Sequence, residues 1–248
     1  MLFRSTFNEK FYLEQNPKVK GLVDSGLYKS AYDYLVKVGE FSTSGNLALF
    51  NGTLNTAGKG IANSVNGFSG KSVLTGVAVT GATVDANGFV SITADANDLG
   101  KLSNGVAATT GANTGKLVDT LNGSPGENVF VIGTGKEGAF YVGGGDNDFA
   151  QINRFDKKVD TISAAGSLAD WTGPTAKYKI EVVDRVAIDP VTQKDATYKD
   201  SKISTIAGDL IAIVAYGLEK HPQSTRHARS STICSQTPSG TISRRSGA

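Results

Sequence analysis

Apolar positions along this chain change their period at about residue 40. Between Phe7 and Gly39 they recur every three to four residues, the spacing of one helix face. Asn8 can cap a short helix carrying Phe11, Tyr12 and Leu13. Asn16-Pro17 restarts the helix, with Asn as cap and Pro in the first turn, where no amide hydrogen is needed. Val19, Leu22 and Val23 follow at helical spacing, and Gly26 ends that run. A third helix is predicted from about Ser30, with Ala31, Tyr34, Leu35 and Val38 on its apolar side and Gly39 as its stop. Phe11, Tyr12, Tyr28, Tyr32 and Tyr34 read as core packing.

Beyond residue 40 the apolar runs are short and β-branched. Val73, Val77 and Val79 suggest a strand, and Asn87-Gly88 between Thr83-Val84 and Phe89-Val90 predicts a hairpin. No fixed period emerges between 41 and 119, so no repeat is read there. From Asn122 to Ser167 the pattern sharpens. Val129–Ile132, Ala139–Val142, Phe149–Ile152 and Val159–Ile162 are four short apolar runs separated by Gly, Asp and Asn turns. Tyr178–Val186 and Asp209–Ala215 are the strongest later strands, with Asp189-Pro190 between them. Trp171 is placed over the edge of the β core.

The pattern predicts a mainly β protein with a small N-terminal helical unit and a β-sandwich or β-solenoid-like body. Four parts are expected: a helical module at 1–40, a Gly/Thr/Asn-rich β insert at 41–119, a C-terminal β module at 120–219, and a polar basic tail at 220–248. That tail reads as a non-native or disordered extension.

Composition narrows the function classes. The chain has 248 residues, 39% hydrophobic and 19% charged, with 30 glycines. Charge below the usual quarter and abundant glycine fit extracellular or structural β proteins better than cytosolic enzymes. The net charge of +2 comes from the tail, where Arg226, Arg229, Arg244 and Arg245 meet no acid. The rest is near neutral, so no nucleic-acid footprint is expected. No stretch approaches the roughly 18 apolar residues of a membrane span, and MLFRSTFNEKFYLEQ lacks the apolar core of a leader peptide.

Both histidines and Cys234, the sole cysteine, lie in the tail. Residues 1–220 therefore hold neither a Ser-His-Asp arrangement nor a His or thiolate metal site. Gly133-Thr-Gly-Lys136 lacks the spacing of a phosphate loop. Asp146 with Asp148, or Asp156 with Asp160, are the only acid pairs worth naming, and exposed turn residues are the simpler reading. The chain is read as non-enzymatic.

Several motifs resemble one protein group. NGSPGENVFVIG is similar to a degraded nonapeptide turn of the RTX, or haemolysin-type, calcium-binding proteins. AFYVGGGDNDFAQINRFDKKVDTISAAGS resembles the segment that follows such turns in secreted cyanobacterial proteins, and GDLIAIVAYG resembles the module's closing strand. FNEKFYLEQNPKVKGLVDSGLYKSAYDYLVKVGE resembles a Tyr-Leu-x-x-Asn-Pro helical module found beside RTX repeats. Ser124-Pro125, Asn128, Arg154, Lys18 and Asp33 depart from those patterns.

The resemblance implies secretion or cell-surface display by leaderless type I export, and calcium binding. Asp146, Asn147, Asp148 and Asp156 are the candidate ligands, toward the 6–8 oxygens calcium takes. The expected function is a structural or assembly protein tuned by calcium, joined to itself as a homo-oligomer or filament, or to other cell-surface components. The alternatives are a calcium-dependent folding and secretion module of a larger exported enzyme or toxin, and a carbohydrate-binding β protein.

Overall fold

The structure is a computed structural model. It describes residues 7–38, 47–54, 57–68, 70–86, 89–101, 103, 105–109, 113–188, 192–215 and the backbone of 233–235. Gly39, Asn87-Gly88, Asp189-Pro190, both histidines and the tail arginines lie outside them.

Three helices open the chain: α1 (Glu9–Gln15), α2 (Pro17–Asp24) and α3 (Ala31–Val38). Asn8 caps α1 as its sequence implies, its side chain accepting from Phe11 N–H at 3.1 Å. Asn16 does something else. It makes no side-chain cap on α2 and instead donates Nδ2 to the Tyr12 carbonyl at 2.7 Å, closing the end of α1. Gly26, at φ 78, reverses the chain after α2.

Strands then follow: β1 (Leu47–Asn51), β2 (Gly60–Ile61), β3 (Ser64–Asn66), β4 (Gly70–Thr75), β5 (Val79–Val84), β6 (Val90–Ala94) and β7 (Gly105–Val106). Next come β8 (Leu117–Asn122), β9 (Gly126–Val131), β10 (Gly133–Thr134), β11 (Gly138–Ala139), β12 (Asp148–Asn153) and β13 (Thr161–Ala164). The last are β14 (Tyr178–Ile188), β15 (Asp195–Thr205), β16 (Leu210–Val214) and β17 (Ile233–Ser235).

Two sheets hold the body. One is five-stranded, ordered β1-β4-β9-β13-β17 and parallel throughout. The other is six-stranded, ordered β14-β15-β16-β12-β8-β3. Its β3, β8, β12 and β16 run parallel, while β15 joins β16 and β14 antiparallel. The chain crosses between the sheets at the short corners β3–β4, β8–β9 and β12–β13. It returns by longer connections that carry the β5–β6 hairpin, the small β10–β11 pair and the β14–β15 hairpin. β8 runs continuously through positions 119 and 120, so the same two sheets include strands from both sides of that boundary.

The fold is mostly β with a few N-terminal helices, as the pattern predicts. The pairing within the central stretch is not the one tight turns suggest. β9 pairs with β4 and β13, and β12 pairs with β8 and β16, so neither β9 and β12 nor β12 and β13 bond to each other, and β10–β11 is the one sequence-adjacent pair among the described residues there. Strands of a parallel ladder are covered on both faces, so they read as continuous apolar runs and give no cue to their partners. Ala139–Val142 is not a strand beyond Ala139. Tyr141 sits at φ 61, which breaks the extended backbone just where the side chain turns into the core. Val159 lies in the corner before β13 and is half exposed.

The core between the sheets is built from Leu49, Phe50, Val65, Leu74, Leu121, Phe130, Ile132, Ile152, Ile162 and Val214, all buried. The helices close the outer side of β1. Phe7 bridges to Phe50, its ring 5.6 Å from the Phe50 ring and 5.3 Å from Tyr12, and Asn8 N–H donates to the Leu49 carbonyl at 2.9 Å.

Candidate functional site

Three features of the body depend on polar residues, and each has a distinct physical role. The first is the row of corners. Asn66, Asn122 and Asn153 occupy one register position on β3, β8 and β12. Asn122 donates Nδ2 to Asn66 Oδ1 at 3.0 Å, and Asn153 donates Nδ2 to Asn122 Oδ1 at 3.0 Å. Stacked amides of this kind bind one strand to the next beyond the backbone ladder.

Just past each corner, Ser72, Asn128 and Asp160 repeat a single bond. Ser72 Oγ accepts from Phe68 N–H at 3.1 Å, Asn128 Oδ1 from Ser124 N–H at 3.2 Å, and Asp160 Oδ2 from Asp156 N–H at 2.8 Å. Asp160 Oδ1 also accepts from the Asn128 backbone at 2.8 Å and side chain at 2.9 Å, joining one corner to its neighbour. Burial pushes the Asp160 carboxyl up, against the downward pull of these donors. The segments Asn66–Leu74 and Asn122–Phe130 share the word Asn-Gly-x-x-Gly-x-Ser/Asn-Val-apolar. They lie 56 residues apart and stack in register. This is the repeat that a search for a fixed short period misses.

The second feature is a buried brace at the opposite end of the same strands. Asp119 of β8 is fully buried. Its Oδ1 accepts from Asn63 N–H at 2.7 Å, and Tyr141 donates its hydroxyl to Oδ2 at 2.9 Å. Asn63 Nδ2 reaches the Gly76 carbonyl at 3.0 Å, so the chain of bonds spans the return path between the sheets. Asp98 lies beside it, its Oδ2 accepting from Ala78 N–H at 2.8 Å. Burial pushes the Asp119 carboxyl up to about 8, with the Asn63 amide and Tyr141 hydroxyl opposing. Burial also raises Asp98 and Tyr141. A group this enclosed meets no solute, so the cluster holds the corner together.

The proposed calcium ligands divide between the two ends of β12. Asp146, Asn147 and Asp148 precede the strand, and Asp156 lies in the corner after it. At about 3.3 Å per residue the strand alone separates them by about 17 Å, so the four do not converge on one ion. Asp148 is fully buried with its carboxylate against Gly144, and Asp146 sits 3.4 Å from Lys202 Nζ. Asp156 Oδ1 accepts from Lys158 N–H at 2.9 Å within its own turn. Among the described residues no group of three or more His, Cys, Asp or Glu is placed to hold a metal. These residues do not fit one calcium site.

The third feature is an open strand edge. β14 is 11 residues long and stands at the end of its sheet, with β15 on one side; among the described residues no strand pairs its other side. β16 covers β15 only from Ser201 to Ser204, so the hairpin runs past the sheet. Val182, Val186 and Ile188 on β14 are 45%, 66% and 57% exposed. The two strands of the hairpin are joined by their own side-chain pairs. Asp200, buried, is bonded to Arg185 Nε at 2.6 Å, the Arg185 guanidinium lies 5.2 Å over the Tyr198 ring, and Lys199 pairs with Asp184. Trp171 stacks on Tyr178 at 4.6 Å, at the root of this edge, and donates Nε1 to the Ala165 carbonyl at 3.0 Å. Sequence reading places β14 correctly, but exposure of both its faces is a tertiary fact with no local signal.

Among the described residues no helix is long and apolar enough to cross a membrane. Comparison of the chain with protein-family models, curated proteins and solved structures returned no match.

Proposed function

We propose that this chain is a non-enzymatic structural protein whose work is assembly, on a cell surface or after secretion, through an exposed strand edge. The body is read as a β-solenoid-like coil, each corner adding one strand to both sheets and tied to the next by the asparagine row. The observation that carries the reading is β14. A long edge strand displaying valine and isoleucine to water is the feature that soluble β proteins ordinarily suppress with charge, proline or a covering element. Here the charges that β14 carries, Lys179, Glu181, Asp184 and Arg185, are paired within the hairpin. A strand edge binds by main-chain hydrogen bonds and takes specificity from alternate side chains.

The RTX resemblance supports the surface address and the coil. It is not needed for the assembly, which runs through β14 without an ion. Light scattering across a concentration series, in chelator and in millimolar calcium, tests the reading. A mass that rises above that of one chain, equally in both conditions, is expected. A single-chain mass at every concentration in both conditions refutes it.

A further inference from the structure

The pattern of groups along β14 selects one partner and one register. Lys177 accepts from Ile206 N–H at 2.8 Å, continuing the ladder in which Tyr178 faces Thr205. Antiparallel ladders alternate, so the odd-numbered residues of β14 exchange bonds with β15. The even-numbered ones, Tyr178, Ile180, Val182, Asp184, Val186 and Ile188, turn N–H and C=O toward the open edge. We propose that this edge pairs with the same edge of a second copy, antiparallel about a two-fold axis at Val183. The proposal rests on the assembly reading above and adds its partner and register.

Parity and charge exclude the neighbouring registers. An axis between two residues would set outward-facing groups against inward-facing ones, so the axis must pass through a residue. At Glu181, Asp184 or Arg185 it would place that charge opposite itself. At Val182 it would place Lys179 opposite Arg185. Like charges directly opposite are unfavourable. At Val183 each Glu181 faces Arg185 of the second copy, and Asp184 faces Val182. Ile180 faces Val186, and Tyr178 faces Ile188. The same axis also overlaps all 11 residues of the strand. The outward pairs then join even to even, so every free donor meets an acceptor.

Pairing of this kind closes on itself, since a two-fold interface uses the same patch on both copies. The expected product is a dimer, twice the 25.8 kDa chain mass.

The test uses the full chain with Cys234→Ser as background. Residues facing across a non-hydrogen-bonded antiparallel pair have Cα atoms about 4.5 Å apart, within disulfide range. Val183→Cys, oxidised with glutathione disulfide, is expected to give a covalent dimer. Val182→Cys and Asp184→Cys, each alone, are expected to give none. An equal mixture of Glu181→Cys and Arg185→Cys is expected to cross-link as a heterodimer. Glu181→Arg, which sets Arg against Arg across the axis, should weaken dimerisation at least tenfold at low salt with unchanged circular dichroism. Oligomers by light scattering without Val183→Cys cross-linking would overturn this register and leave the assembly reading standing. A monomer at all concentrations would overturn both.

Discussion

Asp119→Asn should change how stability depends on pH, with a sign fixed by the structure. Asp119 is buried, and its carboxyl is pushed from 3.8 to about 8 by loss of water. Between those values the folded chain holds a proton that the unfolded chain has released. The contribution of Asp119 is therefore full below about pH 4 and is lost as pH rises toward 8, at about 1.4 kcal/mol per pH unit. From pH 5 to 7 that loss is about 2.7 kcal/mol, large against the 5–15 kcal/mol that holds a typical domain folded. Asparagine keeps the shape and removes the proton. Its Oδ1 still accepts from Asn63 N–H, and its amide donates to the Tyr141 hydroxyl. Urea unfolding of both proteins at pH 5, 6, 7 and 8 gives the difference in stability at each pH. That difference cancels Asp98 and Asp160, which burial also raises. It should grow in favour of the variant by about 1.4 kcal/mol per unit. A difference flat to within about 0.5 kcal/mol over this range, less than half of one unit's effect, would show that Asp119 is ionised in the folded chain, and the account of the brace would fall.

Three substitutions probe the β body itself. Asn122→Ala removes both links of the asparagine row, to Asn66 and from Asn153, and should cost about 1–3 kcal/mol in thermal or urea unfolding. Gly100→Ala adds a methyl group that collides with the Tyr141 ring at φ +67, and should cost about 2–4 kcal/mol. Gly115→Ala, at φ +80 with open space around it, should cost only the backbone strain of about 1 kcal/mol, and the gap between the two measures the packing on Tyr141.

The helices were legible because their signals are local. Asn8 caps α1 and Gly26 reverses the chain, both through neighbours within a few residues. The strands were legible as apolar runs, but their partners were not. Phe130 packs within a strand paired to β4, and nothing near Phe130 names Leu74 as its neighbour. The signal that existed was the word shared by Asn66–Leu74 and Asn122–Phe130, set 56 residues apart by an insert holding the β5–β6 hairpin. The third corner hides it further, because Asn153 is followed by Arg154, at φ 59, where the other two corners have Gly67 and Gly123, neither at positive φ. Asp119 had no signal. An aspartate after two apolar residues reads as exposed, and only the return path through Asn63 and Tyr141 encloses it.

The lengths of the free edges decide between a filament and a closed pair. In the five-stranded sheet, the helical unit meets the outer side of β1 through Phe7 and Asn8, and β17 lies beside β13. The six-stranded sheet ends in β3 on one side and β14 on the other. Head-to-tail growth would join β14 of one copy to β3 of the next. β3 is only 3 residues long, so most of the 11 residues of β14 would stay unpaired. Pairing β14 with itself leaves none unpaired and sets Glu181 against Arg185 twice. Main-chain bonds lost to water are replaced only where a partner strand runs alongside, so the proposed self-pairing has the longer overlap and is expected to stop at two copies. Mass measured against concentration should then reach a plateau at the dimer, and continued growth would point to β3 as the second edge.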